Sequence, residues 1–264
     1  MKRLDDDRDD AAATRDALIA VIGHDLRAPV WSAARYVRGH LVEFDGDLNS
    51  KRKNIETLAE GLERISGQLD SLLEWALCAS GRTKLDSVPI SVGELFMKAA
   101  SDVTSAAAAK SVSVEVPAGD GVIAGDRRAL ATVLRNLLEN AVKYSNGGST
   151  VRTAIELGHG PQGDRCLLVV EDDGVGMKQE QLARLFIPGK TPLTLGTARE
   201  QGNGFGLAIS KLFVERMGGT MRVESDVGQG TRFVLDFPIP SPDNEKDFHK
   251  HGFVSNQLLK LRHR

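Results

Sequence analysis

Between Ile55 and Ala76 the apolar residues Ile55, Leu58, Leu62, Ile65, Leu69, Leu72 and Ala76 follow one another at alternating spacings of three and four. That period places all seven on one stripe of an α-helix, and so regular a stripe is a seam built to meet another helix. Gly81 closes the segment. A looser stripe precedes it, through Ile22, Leu26, Val30, Ala33, Val37, Leu41 and Phe44, and the run Asp45–Ser50 between the two is turn chemistry. Two long helices and a short loop predict an antiparallel hairpin. Each helix of an isolated hairpin leaves an apolar face open, and pairing two hairpins into a four-helix bundle closes it. A homodimer through residues 10–82 is therefore expected, after a short tail over 1–9. The alternative is a hairpin that covers its face with the rest of its own chain.

Charge and cysteine usage narrow the function classes. The balance of 34 basic against 36 acidic residues gives −2, with no overall field to attract nucleic acid or an anionic membrane. Aromatics at 5% are too few for base-stacking platforms. Cys78 and Cys166 have no CxxC partner, which argues against a disulfide framework or a cysteine zinc site and for a reducing compartment. No apolar run approaches the roughly 18 residues of a membrane span, and the acidic N-terminus is unlike an export signal. The expectation is a cytoplasmic chain with no nucleic-acid partner and no membrane contact of its own. Membrane association would come only through a region outside it.

From about residue 88 the pattern changes to mixed α/β. Ser91 to Glu94 reads as a capping box opening a helix to about Ala109. Ser111 to Val116 alternates like a strand, and Asp126 can cap a helix over Arg127–Tyr144. Strands are predicted at Thr150–Leu157 and Cys166–Glu171 with a loop over Gly158–Asp164, then a short helix at Gln179–Phe186. A helix over Gly204–Met217 ends on a glycine pair, and a hairpin joins Thr220–Ser225 to Thr231–Phe237. This predicts a sheet with helices on one face over residues 88–240. Residues 187–203 form a long Gly/Thr/Pro-rich loop, a length that in a compact domain usually serves function. Residues 241–264 read as an appended tail, whose His249/His251 pair lacks the further ligands that a metal site needs.

Four segments suggest phosphate chemistry. Asn136, Asn140 and Lys143 share one helix face; amide oxygens suit Mg²⁺ and a lysine suits phosphate oxygens. Asp172-Asp173-Gly174-Val175-Gly176 ends an apolar strand with a carboxylate and then glycines. Gly202-Asn203-Gly204-Phe205-Gly206-Leu207 opens a helix, where glycine-rich backbone binds anions. Gly228 to Thr231 is a turn that needs no functional explanation. Each of the others also reads alone as ordinary surface. The same holds for His24-Asp25-Leu26-Arg27-Ala28-Pro29, a histidine beside a proline kink on the first helix.

Taken in order, these segments resemble the motifs of two-component sensor histidine kinases over about residues 10–240. His24 to Pro29 is similar to the H box, Asn136 to Tyr144 to the N box, Asp172 to Gly176 to the first G box, Leu185-Phe186 to the F box, and Gly202 to Leu207 to the second G box. Gly196 to Gly202 resembles the lid of one subgroup. The resemblance implies a dimeric phosphoacceptor hairpin followed by an α/β sandwich of the GHKL (Bergerat) type. It implies ATP with Mg²⁺ held through Asn140, adenine read by Asp172 beside Gly174 and Gly176, and Tyr144 at the adenosine. Asn136, Lys143, Lys190, Gly202, Gly204, Gly206 and Leu207 would attend the phosphates. His24 would accept the phosphoryl group with Asp25 assisting, and pass it to a response-regulator receiver domain. The rival readings are a non-catalytic scaffold of the same fold and another GHKL ATPase. Two positions depart from the pattern. Ala28 stands where phosphatase-competent members carry Thr or Asn, which puts that activity in doubt. Phe205 replaces a leucine, an added bulk expected on the lid side. The input domain is expected elsewhere than in this chain.

Overall fold

The computed structural model describes residues 84–160, 163–187, 196–198 and 204–239, with Ile55, Glu56, Ala59, Leu62, Leu73, Trp75 and Cys78; at 159, 160 and 163 it describes backbone only. The expected hairpin with His24 and Asp25, the loop residues Lys190 and Gly202, and the tail over 241–264 lie outside the described residues, apart from those seven helical positions. Of these, Ile55 and Leu62 on the predicted seam are exposed, whereas Trp75 and Cys78 are buried in the core of the following domain.

That domain runs β1 (Val88–Ser91), α1 (Val92–Ala109), β2 (Ser113–Glu115), β3 (Val122–Gly125) and α2 (Arg127–Tyr144). It continues with β4 (Thr150–Gly160), β5 (Gly163–Asp172), α3 (Gln179–Leu182), α4 (Gly206–Arg216), β6 (Thr220–Asp226) and β7 (Gly230–Pro238). Five strands form one sheet in the order β2-β4-β5-β7-β6, parallel only between β2 and β4. The period of two along β5 and β7 buries Cys166, Leu168, Val170, Phe233, Leu235 and Phe237 on one face. Helices α1, α2 and α4 cover that face, with Leu130, Val133, Leu134, Leu137 and Leu138 of α2 fully buried at its centre. The opposite face carries charge: Arg232 of β7 lies within 3.4 Å of both Glu171 and Glu224. Cys166 has no exposure, and burial pushes its thiol pKa up to about 12.

Several boundaries differ from the sequence reading. β4 and β5 extend much further toward each other than predicted, leaving only residues 161–162 between them. β1 and β3 were not anticipated; they pair antiparallel as a separate two-stranded sheet, Ile90 opposite Ile123. Each is four residues long, and β1 contains Pro89, so neither offers a period long enough to read. Ser91 is the N-cap of α1, but the capping box does not form. Asp120 takes its place, accepting from the Gly93 N–H at 2.8 Å and the Ser91 hydroxyl at 2.8 Å, while Glu94 turns to Arg127 at 3.0 Å. At α2 the predicted cap does form: Asp126 accepts from the N–H groups of Arg128 and Ala129. Phe205 is buried in the core, 3% exposed, so its bulk contributes to packing there.

Candidate nucleotide site

The alternation along β5 decides the position of Asp172. It continues the buried series Cys166, Leu168, Val170, so a carboxylate lies on the helix-facing side at the strand's end, 5% exposed. Burial pushes its pKa up to about 6, and neighbouring Asp173 and Glu171 push the same way. The N–H groups of Gly174 and Thr231 pull against them, the first at 2.9 Å from Oδ1. At neutral pH the group is ionised in a nearly dry setting, where an N–H donor is strongly attracted.

The loop after Asp172 is locked from two sides. Val175 N–H donates to the Tyr144 carbonyl at 3.2 Å, tying it to the end of α2, and Gly228 N–H donates to the Val175 carbonyl at 2.8 Å. Gly176 has φ +62°, and a Cβ there would run into the Asp226 carbonyl oxygen; at Gly230, φ +83°, a Cβ would strike the Asp172 carbonyl oxygen. The turn over Gly228–Thr231, self-explanatory in the sequence, is thus the buttress of the Asp172 loop. Ser225 completes it, receiving Met177 N–H at 3.0 Å and donating to the Gly230 carbonyl at 2.7 Å.

On α2, Asn136, Asn140, Lys143 and Tyr144 are half-buried, along the edge of the stripe of core leucines. Asn136 Nδ2 donates to the Gly206 carbonyl at 3.3 Å and approaches Ser210 Oγ at 3.4 Å, linking α2 to the first turn of α4. Lys143 Nζ lies 4.8 Å from the centre of the Tyr144 ring. The polar face of α2 therefore runs between two places, the Asp172 loop near Tyr144 and the start of α4 near Asn136. Their separation is about 12 Å at 1.5 Å per residue. The N-cap of α4, Phe205, makes no side-chain cap to its first turn, and the N-terminal end of a helix is favourable ground for an anion. Gly204, with φ +73°, leads into that turn. Lys211 Nζ lies 4.8 Å from the Phe186 ring centre, joining the F-box segment to α4.

Two contributors were not anticipated. Thr197 N–H donates to the Lys143 carbonyl at 3.1 Å, and its hydroxyl donates to the Ser145 carbonyl at 2.6 Å. Lys110 Nζ donates to the carbonyls of Val142 and Lys143 at 2.8 and 2.7 Å, a cation at a helix C-terminus where the dipole favours it. Only the place of Thr197 within the lid pattern marked it in the sequence; Lys110 carries no local signal. Among the described residues no cluster of three His, Cys, Asp or Glu could hold a metal. One amide oxygen at Asn140 suits Mg²⁺ completed by phosphates and water, the usual arrangement for that ion, and not an all-protein cage.

Residues 125–241, which hold most of the sheet, the α2 polar face and the Asp172 loop, match the family of histidine kinase-, DNA gyrase B- and HSP90-like ATPases. That stretch of the chain is similar to the ATPase domains of that class. Over most of its length the chain corresponds to the catalytic region of two-component sensor histidine kinases. It is 27% identical over 232 residues to sensor histidine kinase AtsR of Burkholderia thailandensis, covering 87% of this chain and 38% of that protein. It is 31% identical over 247 residues to sensor histidine kinase AruS of Pseudomonas aeruginosa, covering 90% of this chain and 24% of the relative. The chain thus spans well under half the length of these curated relatives. Its fold is similar to that of the Acinetobacter baumannii histidine kinase AdeS, with a TM-score of 0.67, 20% identity, and 83% of this chain and 98% of that one covered. No helix among the described residues is long and apolar enough to cross a membrane.

Proposed function

We propose that this chain is the kinase core of a two-component system, which phosphorylates its own His24 from ATP and passes the phosphoryl group to an aspartate on a response-regulator receiver domain. The carrying observation is the buried Asp172 carboxylate, set at one end of the α2 polar face with the N-terminus of α4 at the other. An ionised acceptor in a dry pocket suits the amino group of adenine; a helix N-terminus suits phosphate. Asn140 would hold Mg²⁺ against the phosphates. Lys143, Lys190 and the backbone at Gly202, Gly204, Gly206 and Leu207 would neutralise or cradle phosphate oxygens, with Tyr144 at the adenosine. Residues 10–82 would form the dimeric hairpin, 88–240 the ATP-binding domain, and 1–9 and 241–264 tails.

In the phosphotransfer, the lone pair of a neutral His24 ring nitrogen forms the N–P bond as the bond from the γ-phosphorus to the bridging oxygen breaks and ADP leaves. Asp25 would hold the other ring N–H and stabilise the positive charge that grows on the imidazole. Incubation of the chain with labelled ATP and Mg²⁺ tests the reading. Label that is stable to base, labile to acid and abolished in His24→Gln is expected. Label retained in that variant would sink it.

A further inference from the structure

One ion pair beside the site has no role in the chemistry above. Arg152 of β4 stands opposite Glu171 of β5, yet its guanidinium reaches along the sheet to Asp173, with Nη1 2.9 Å from Oδ1 and Nη2 2.9 Å from Oδ2. Two parallel bonds between a planar fork and a carboxylate fix orientation as well as charge. Asp173 lies between Asp172 and Gly174, whose N–H the Asp172 carboxylate accepts. We propose that Arg152 is a positioning residue for base recognition: by clamping and neutralising Asp173, it keeps the buried Asp172 carboxylate ionised and aimed at the amino group of adenine. The proposal rests on the reading of Asp172 as the adenine acceptor.

The surrounding charges leave this task to Arg152. On its own strand Asp172 is flanked by Glu171 and Asp173, both negative. Arg232, from β7, sits among Glu171, Glu224 and Glu156, at 3.4, 3.4 and 4.0 Å. The backbone carbonyl of Asp226, on β6, lies against Gly176, and the last turn of α2 brings Lys143 and Tyr144. Among the described residues Arg152 is the one cation bonded to Asp173. Without it, an unpaired carboxylate would sit directly beside a carboxylate that burial already drives toward its neutral form. A protonated Asp172 presents an O–H where the base amino group needs an acceptor. Both partners are half-exposed, so solvent screens the effect and a modest shift is expected.

The test follows the ratio of ATP to GTP affinity from pH 5 to 8 by calorimetry, since phosphate ionisation is common to both nucleotides and cancels. Carbon NMR of the Asp172 carboxyl in the nucleotide-free chain runs beside it. Arg152→Met should move both midpoints upward by about half a pH unit. Adding Asp173→Asn should return them to the wild-type position or below. A pair that merely braces the loop would lower affinity at every pH without moving a midpoint, and the second substitution would not rescue it; that result overturns the proposal. If the NMR midpoint moves while the ATP/GTP ratio stays flat with pH, the adenine role of Asp172 is what fails.

Discussion

Replacing Asp172 by Asn should make the nucleotide-free domain more stable at neutral pH, although it removes the base acceptor. A carboxyl with a pKa of 3.8 in the unfolded chain and about 6 in the fold binds protons more tightly when folded. Between those values the folded state carries more protons, so wild-type stability falls as pH rises through the window and stays lower above it. A shift of about two units corresponds to about 3 kcal/mol at pH 8. The side chain is 5% exposed, so little of that is lost to solvent screening. Asn keeps the shape and an oxygen for the Gly174 N–H, and carries no charge to desolvate. Hydrogen exchange at the core amides of Leu168, Val170 and Leu235 reads the opening of this domain within the full chain. At pH 8 those amides should exchange up to about a hundredfold more slowly in Asp172→Asn than in wild type. The ratio should shrink toward parity as pH falls toward 4. A ratio independent of pH, or faster exchange in the variant at pH 8, would refute the account of a carboxylate held charged against burial.

Gly176→Ala places a Cβ against the Asp226 carbonyl at a left-handed φ, and a loss of about 3 kcal/mol or more is expected in denaturant unfolding. Leu62→Glu with Leu69→Glu should convert a dimer to monomer in sedimentation, because the charges would sit unpaired in the proposed seam. Ala28→Thr should speed decay of a phosphorylated regulator in the presence of ADP, since a hydroxyl one turn after His24 can orient water where alanine has no polar atom. That assay is run in a His24→Gln background to exclude back-transfer, and fast decay already with Ala28 would count against the idea.

Local signals made the main sheet and its helices legible. The apolar period of α2 and the cap at Asp126 were readable because both depend on residues within a turn or two of each other. Asp172 stood out through the glycines that follow it. What escaped the sequence is held together across long separations. Asp120 caps α1 from 27 residues away, Thr197 grips α2 from 52, and Arg152 reaches Asp173 across 21. None of these contacts leaves a period, and only Thr197 falls within a recognisable pattern. The capping box at Ser91 illustrates the limit: its residues fit the pattern, but a better acceptor arrives through tertiary structure.

The two cysteines carry a practical consequence. Cys166 lies fully enclosed under the helices with its thiolate disfavoured, and Cys78 is 1% exposed. Alkylating dyes, spin labels and peroxide all require an accessible thiolate, so the folded chain is blind to them. A single cysteine introduced on the surface therefore becomes an exclusive attachment point for distance measurements, with no need to strip the native pair. The native thiols themselves serve as a clock, since the rate at which they take up reagent reports how often the fold opens.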